Sequence, residues 1–134
     1  MGSWGILAFD NDDANDWAYG LEEVADLSLV ELAFAEVEEA DEYLEAPTAT
    51  EALAACEVLA RLMGNSGYKN SYTEKVDQWV NRHPLKPSPA ILARADAIID
   101  RVLAPNSELR ELWDEADAEE WLQSVEDLRS RLRA

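Results

Sequence analysis

Apolar residues recur at helical spacing through most of this chain, and that spacing limits it to one fold class. Ile91, Leu92, Ala95, Ile98, Ile99, Val102 and Leu103 follow an i, i+3, i+4, i+7 pattern, as do Trp121, Leu122, Val125, Leu128 and Leu132. Leu29, Ala33, Val37, Ala40 and Leu44 form a further stripe, predicting a second helix that runs from Leu29 to Leu44. Strand alternation has no comparable run, and no strand partner is evident for the short apolar opening.

Start and stop signals agree with helices. Ser28-x-x-Glu31, Thr48-x-x-Glu51, Ser71-x-x-Glu74 and Asp117-x-x-Glu120 fit the capping box, in which cap oxygen and N3 carboxylate satisfy each other's backbone amides. Ser88 precedes Pro89, where the missing proline N–H is harmless, and Ser107 precedes another helical run. Gly64 suits a left-handed residue after a helix, and His83-Pro84 and Pro105-Asn106 end others. Arg129, Arg131 and Arg133 place positive charge at a helix C-terminus. The expected fold is all-α: one compact domain over residues 1–134 with six or seven short helices. Residues 1–10 are expected to form an extended arm packed on those helices.

The 134 residues are 48% apolar or aromatic and include five Trp, enough to bury a real core. The single Cys56 lies in an apolar helical run and reads as a buried, inert thiol. No stretch approaches the ~20 apolar residues that span a bilayer, and no signal peptide is visible. A cytoplasmic bacterial protein is the expectation.

Charge is distributed very unevenly. Sixteen carboxylates and no Lys or Arg precede Arg61, whereas the other 74 residues carry 13 acids and 11 bases. The net charge of −18 therefore lies almost wholly in the first sixty residues. Such a surface repels phosphate backbones and anionic lipids, so direct nucleic-acid and membrane binding are disfavoured and a basic protein is the favoured partner. Some of these acids have local duties as caps. Glu38, Glu39, Asp41, Glu42 and Glu45 have none, and they are the expected partner-binding residues, on one face of the second helix.

Asp10, Asp12, Asp13 and Asp16, with Asn11 and Asn15, crowd the start of the chain and are weak candidates for a cation. An EF-hand loop starting at Asp10 would need an oxygen ligand at Ala14, glycine at Asn15 and a carboxylate at Leu21, and it fails at all three. Helix capping explains more: Asp10 or Asn11 as the cap, with Asp12 and Asp13 in the positive first turn. Di-metal bundle chemistry needs Glu-x-x-His, but Val80 stands three residues before His83, the only histidine. His83 precedes Pro84 at a helix end and reads as a cap. No catalytic residue and no cofactor is assigned.

MGSWGILAFDNDDANDW resembles the opening of an uncharacterised bacterial family, domain of unknown function 4259, at Gly2, Trp4, Gly5, Phe9, Asp10, Asn11, Asp12, Asp16 and Trp17. SELRELWDEADAEEWLQSVEDLRSRL resembles its ending at Ser107, Glu108, Leu109, Leu112, Trp113, Trp121, Leu128, Arg131 and Leu132. The resemblance implies that the two ends matter and that Trp4, Trp17 and Trp113 lie near each other. It brings no activity. The expected function is a non-enzymatic acidic accessory protein that receives a basic partner, with an immunity-type or nucleic-acid-mimic inhibitor as specific forms. A metal-dependent enzyme or switch on Asp10–Asp16 and a homo-oligomeric structural protein are the alternatives.

Overall fold

A computed structural model describes residues 5–134. Among these residues the chain forms seven α-helices: α1 (Asp12–Tyr19), α2 (Ser28–Glu38), α3 (Ala46–Leu62), α4 (Glu74–Arg82), α5 (Pro89–Val102), α6 (Glu108–Glu115) and α7 (Ala118–Arg133). A single 3-10 turn, Gly20–Glu23, follows α1. The protein is all-α; among the described residues no strand forms. A parallel bridge joins Leu44 to Ser107. There the Leu44 amide donates to the Asn106 carbonyl at 3.0 Å and the Glu108 amide donates to the Leu44 carbonyl at 2.8 Å.

The architecture is six helices around one. α3 touches every other helix, and its residues from Ala52 to Arg61 are all buried. A helix apolar on every side must be enclosed on every side. Alanines at positions 49, 52, 54, 55 and 60 let neighbours approach its backbone closely. Phe9, Leu21, Phe34, Trp79, Ile98 and Ile99 surround it and belong to one continuous apolar cluster. Trp79 is wholly buried, and its indole N–H donates to the Val24 carbonyl at 3.0 Å, which satisfies its one polar atom. No helix is long and apolar enough to cross a membrane among the described residues.

Several caps form where the sequence places them. Asn11 Oδ1 accepts from the Ala14 amide at 2.7 Å, Ser88 Oγ from Ile91 at 3.2 Å, and Asp117 from Glu119 at 3.2 Å. Gly64 has φ +84°. It closes α3 with bonds from Gly64 N to Arg61 O at 3.0 Å and from Asn65 N to Ala60 O at 2.9 Å, the paired pattern of a Schellman end.

Three capping boxes do not form as expected, because other groups hold those helix starts. Ser28 lies inside α2, and Asp26 accepts its amide at 3.0 Å. α3 begins at Ala46, ahead of Thr48, because Glu108, 62 residues away, accepts the Ala46 amide at 2.7 Å. Ahead of α4, Asn70 Oδ1 accepts the Tyr72 amide at 2.9 Å and the Thr73 amide at 3.2 Å, which leaves Ser71 in the turn. α2 is also shorter than its apolar stripe implies, ending at Glu38 and not at Leu44. Its last turn carries no basic residue, and further acids there would face the negative end of the helix dipole. Leu44 is instead drawn into the bridge to Ser107 and wholly buried.

Candidate binding cleft and its charged floor

Residues 5–8, the first half of α3, and α6 with α7 enclose a cleft of about 550 Å³. Its first wall is set by local bonding. The Asp10 amide donates to the Leu7 carbonyl at 2.9 Å, closing a turn, and Asp10 Oδ2 accepts the Leu7 amide at 3.1 Å. Asn11 Nδ2 donates to Ala8 O at 3.1 Å, and Asn15 Nδ2 to Phe9 O at 2.7 Å. These side chains lock the turn that enters α1. Ile6 then packs on the core, its carbonyl 3.2 Å from Ser124 Oγ on α7.

The second wall is aromatic. Trp113 on α6 and Trp121 on α7 stack with centroids 5.9 Å apart and planes 8° from parallel. Trp121 is buried and Trp113 half-buried. Leu109 and Leu112 continue this wall.

The floor is ionic. Glu57 on α3 is 1% exposed. It meets Arg131 of α7 at two points, Oε1–Nη1 2.5 Å and Oε2–Nη2 3.0 Å. Its Oε1 also lies 3.5 Å from Arg61 Nη2. Arg61 Nη1 pairs with Asp77 at 2.8 Å, and Arg131 Nε with Asp127 at 2.9 Å. Buried ions hold their charge when paired and hydrogen-bonded. Arg61 Nη2 therefore also donates to the Tyr68 carbonyl at 2.6 Å, and Arg131 Nη1 to the Asn65 carbonyl at 3.1 Å. Burial, with Glu57 nearby, pushes the Tyr68 phenol well above its ordinary range. Tyr68 Oη accepts the Phe9 amide at 3.3 Å, tying the floor to the first wall.

The charged floor is absent from the sequence-derived site. Its signal was present: Glu57 and Arg61 stand four residues apart inside an otherwise apolar helix. The three C-terminal arginines also do more than oppose a dipole. Arg129 pairs with Asp100 at 2.5 Å and Arg133 with Asp96 at 2.8 Å, joining α7 to α5.

The residues singled out in the sequence are only partly brought together. Phe9 is buried, Asp10 and Asn11 hold the entry turn, and Asp12 and Asp16 are exposed on α1. Asp13 lines the cleft, as does Trp113. Trp17 is half-buried against the core. Trp4, and with it the expected grouping of Trp4, Trp17 and Trp113, lies outside the described residues. No group of three or more metal-ligating side chains is assembled among the described residues. His83 packs against Trp79 with centroids 5.0 Å apart and ring planes tilted by 33°, and its Nδ1 is 3.1 Å from the Trp79 carbonyl.

Glu38, Glu39, Asp41, Glu42 and Glu45 do not share a helix face. Glu38 ends α2 and holds Arg94 of α5 through two bonds, of 2.9 and 3.0 Å. That hydrogen bonding lowers the Glu38 carboxyl below its ordinary range. The other four lie in the exposed connection to α3. Partial burial, and then the charges of Glu36 on α2 and Asp13 on α1, raise the Glu51 carboxyl on α3.

The family model described as Domain of unknown function (DUF4259) matches residues 2–124. No curated protein and no solved structure matches the chain.

Proposed function

The chain belongs to the family described as Domain of unknown function (DUF4259), and from that premise we propose that it is a non-enzymatic accessory protein whose acidic first half receives a basic protein partner. One observation carries this reading. Of the sixteen acids before Arg61, only Glu38 and Glu57 enter an ion pair among the described residues. From Arg61 onward, Asp77, Asp96, Asp100, Asp114, Glu126 and Asp127 are all paired. The folded surface thus keeps the charge asymmetry of the sequence, and most of the first-half carboxylates stand exposed with no cation beside them.

Unpaired carboxylates of one sign raise association rates with a basic surface and fix its orientation. Glu39, Asp41, Glu42 and Glu45 are exposed side chains of one short connection, on either side of the buried Leu44, and are available for such contacts. An inhibitor of a basic toxin or of a nucleic-acid-binding protein is a specific form of this function.

The test is an affinity pull-down with the tagged chain at low and high salt. The same experiment is run with a variant in which Glu39, Asp41, Glu42 and Glu45 are changed to Lys. Screening shortens from about 10 Å at ~0.1 M salt to about 3 Å at ~1 M. A basic partner should be retained at low salt, released at high salt and lost by the variant. Retention that ignores both salt and charge reversal would refute the proposal.

A further inference from the structure

We propose that the cleft between the N-terminal turn and α6–α7 is where an apolar segment bearing a lysine or arginine docks, supplied by the basic protein partner. This rests on the reading of the chain as a receiver of basic proteins, and it names the place and the chemistry. The cleft's volume of about 550 Å³ falls within the range of about 300–1,000 Å³ typical of ligand sites. Its stacked wall offers the half-buried Trp113, backed by Trp121, as an aromatic face for apolar side chains.

Charge decides the polarity of the occupant. The lining includes four carboxylates, Asp13, Glu57, Glu120 and Asp127, and one guanidinium, Arg131. Arg131 is already held by Glu57 and Asp127, so it does not repel a cation. Asp13 and Glu120 are exposed at the rim and enter no ion pair among the described residues. An incoming cation can therefore pair with them while its neighbours enter the apolar cleft. A second copy of this chain is a poor occupant, because each carries a net charge of −18.

The test uses the full chain and three short synthetic peptides followed by calorimetry and tryptophan fluorescence. One peptide alternates leucine and lysine, one is all lysine, and one alternates leucine and serine. The leucine–lysine peptide should bind tightest and change the tryptophan emission. Its affinity should fall about tenfold in Trp113→Ala, the loss of one anchoring aromatic, and also in Asp13→Asn/Glu120→Gln. Those rim residues are exposed, so the second variant remains informative if the first does not fold. Glu74→Gln, on α4, outside the acidic first half and away from the cleft, should leave binding unchanged.

Equal binding of the lysine peptide, indifferent to the cleft variants, would overturn the cleft and leave the basic-partner reading standing. Failure of both cationic peptides would overturn both. Equal binding of the leucine–serine peptide would overturn the charge requirement. A Trp4→Ala chain that gained affinity would assign the cleft to the chain's own terminus, and self-association abolished by Trp113→Ala would assign it to a second copy.

Discussion

Glu57 and Arg131 are 74 residues apart and meet through two bonds of 2.5 and 3.0 Å, beneath a cleft that both ends of the chain help to line. Glu57 also approaches Arg61 at 3.5 Å, so one buried carboxylate separates two guanidinium groups. Replacing it by Gln leaves those cations facing each other. Breaking a buried pair costs about 3–5 kcal/mol, and Glu57→Gln should fall in that range. Arg131→Met should cost less, because Glu57 keeps Arg61. Urea unfolding midpoints compare the two, and the opposite order would show that Glu57 is not the bridge.

Gly5 lies against the Asp10 carboxylate so closely that an added Cβ would overlap Asp10 Oδ2. Asp10 cannot simply swing away, since Oδ2 holds the Leu7 amide. Gly5→Ala should therefore break that bond and cost about 1 kcal/mol, the net worth of one hydrogen bond. Asp10→Ala removes the bond and the carboxylate overlap, leaving a 3.1 Å approach to the residue-10 Cβ. In a double-mutant cycle Gly5→Ala should then cost much less on the Asp10→Ala background than on the native one. Additive losses would show that Gly5 serves some other contact.

Helix number and class were legible because they depend on local spacing and on caps whose donors and acceptors lie within a few residues, as at Asn11, Ser88, Asp117 and Gly64. The three displaced starts share a physical cause. A cap is worth about 1 kcal/mol, and any side-chain oxygen that reaches an amide near the helix start can supply it, as Asp26, Glu108 and Asn70 do. At Ala46 that oxygen belongs to Glu108, which no local pattern reveals. The cleft was half legible: its two walls are the two ends that resemble the family, but nothing local says that they meet. The charged floor needs more than its local signal: Glu57 and Arg61 stand four residues apart in α3, but only the enclosure of that helix on every side shows that both are buried.

Cys56 is wholly buried, and its thiol is pushed far above its ordinary range, chiefly by burial. Since only the thiolate reacts, alkylation of the native protein should wait for opening of the central helix. The labelling rate should therefore rise with urea in step with global unfolding. Rapid labelling without denaturant would place Cys56 in a locally opening segment.

Tyr43 donates its hydroxyl to Glu111 at 2.6 Å, and this bond pushes its phenol up to about 12. The proton is shared with a carboxylate, so removing it means placing a second negative charge beside Glu111. Glu111→Gln should return the titration toward the ordinary phenol range. Tyrosinate absorbance followed against pH, with Tyr43→Phe to identify the transition, reads this directly. An unchanged midpoint in Glu111→Gln would assign the shift to the surrounding acids instead.

Glu51 shows what the crowded acids of the first half cost the fold. Its carboxyl is raised by partial burial and then by Glu36 and Asp13. A carboxyl raised on folding binds its proton more tightly in the native state than in the unfolded chain. Stability must then fall as pH rises from the ordinary Glu value toward the raised one, the reverse of a salt-bridged acid. Above that window the ionised Glu51 opposes folding. Glu51→Gln should therefore raise the urea midpoint at neutral pH, and the gain should vanish below the ordinary carboxyl range, where both chains are neutral at this position. Glu36→Gln should give a smaller gain with the same pH dependence, because it removes one neighbouring charge and leaves the burial of Glu51 unchanged. If a basic partner covers this surface, its cations should also reduce the gain from Glu51→Gln in the complex. Unfolding curves at acid and neutral pH, with and without the partner, would check each step; a gain that persists in acid would trace the effect to packing rather than charge.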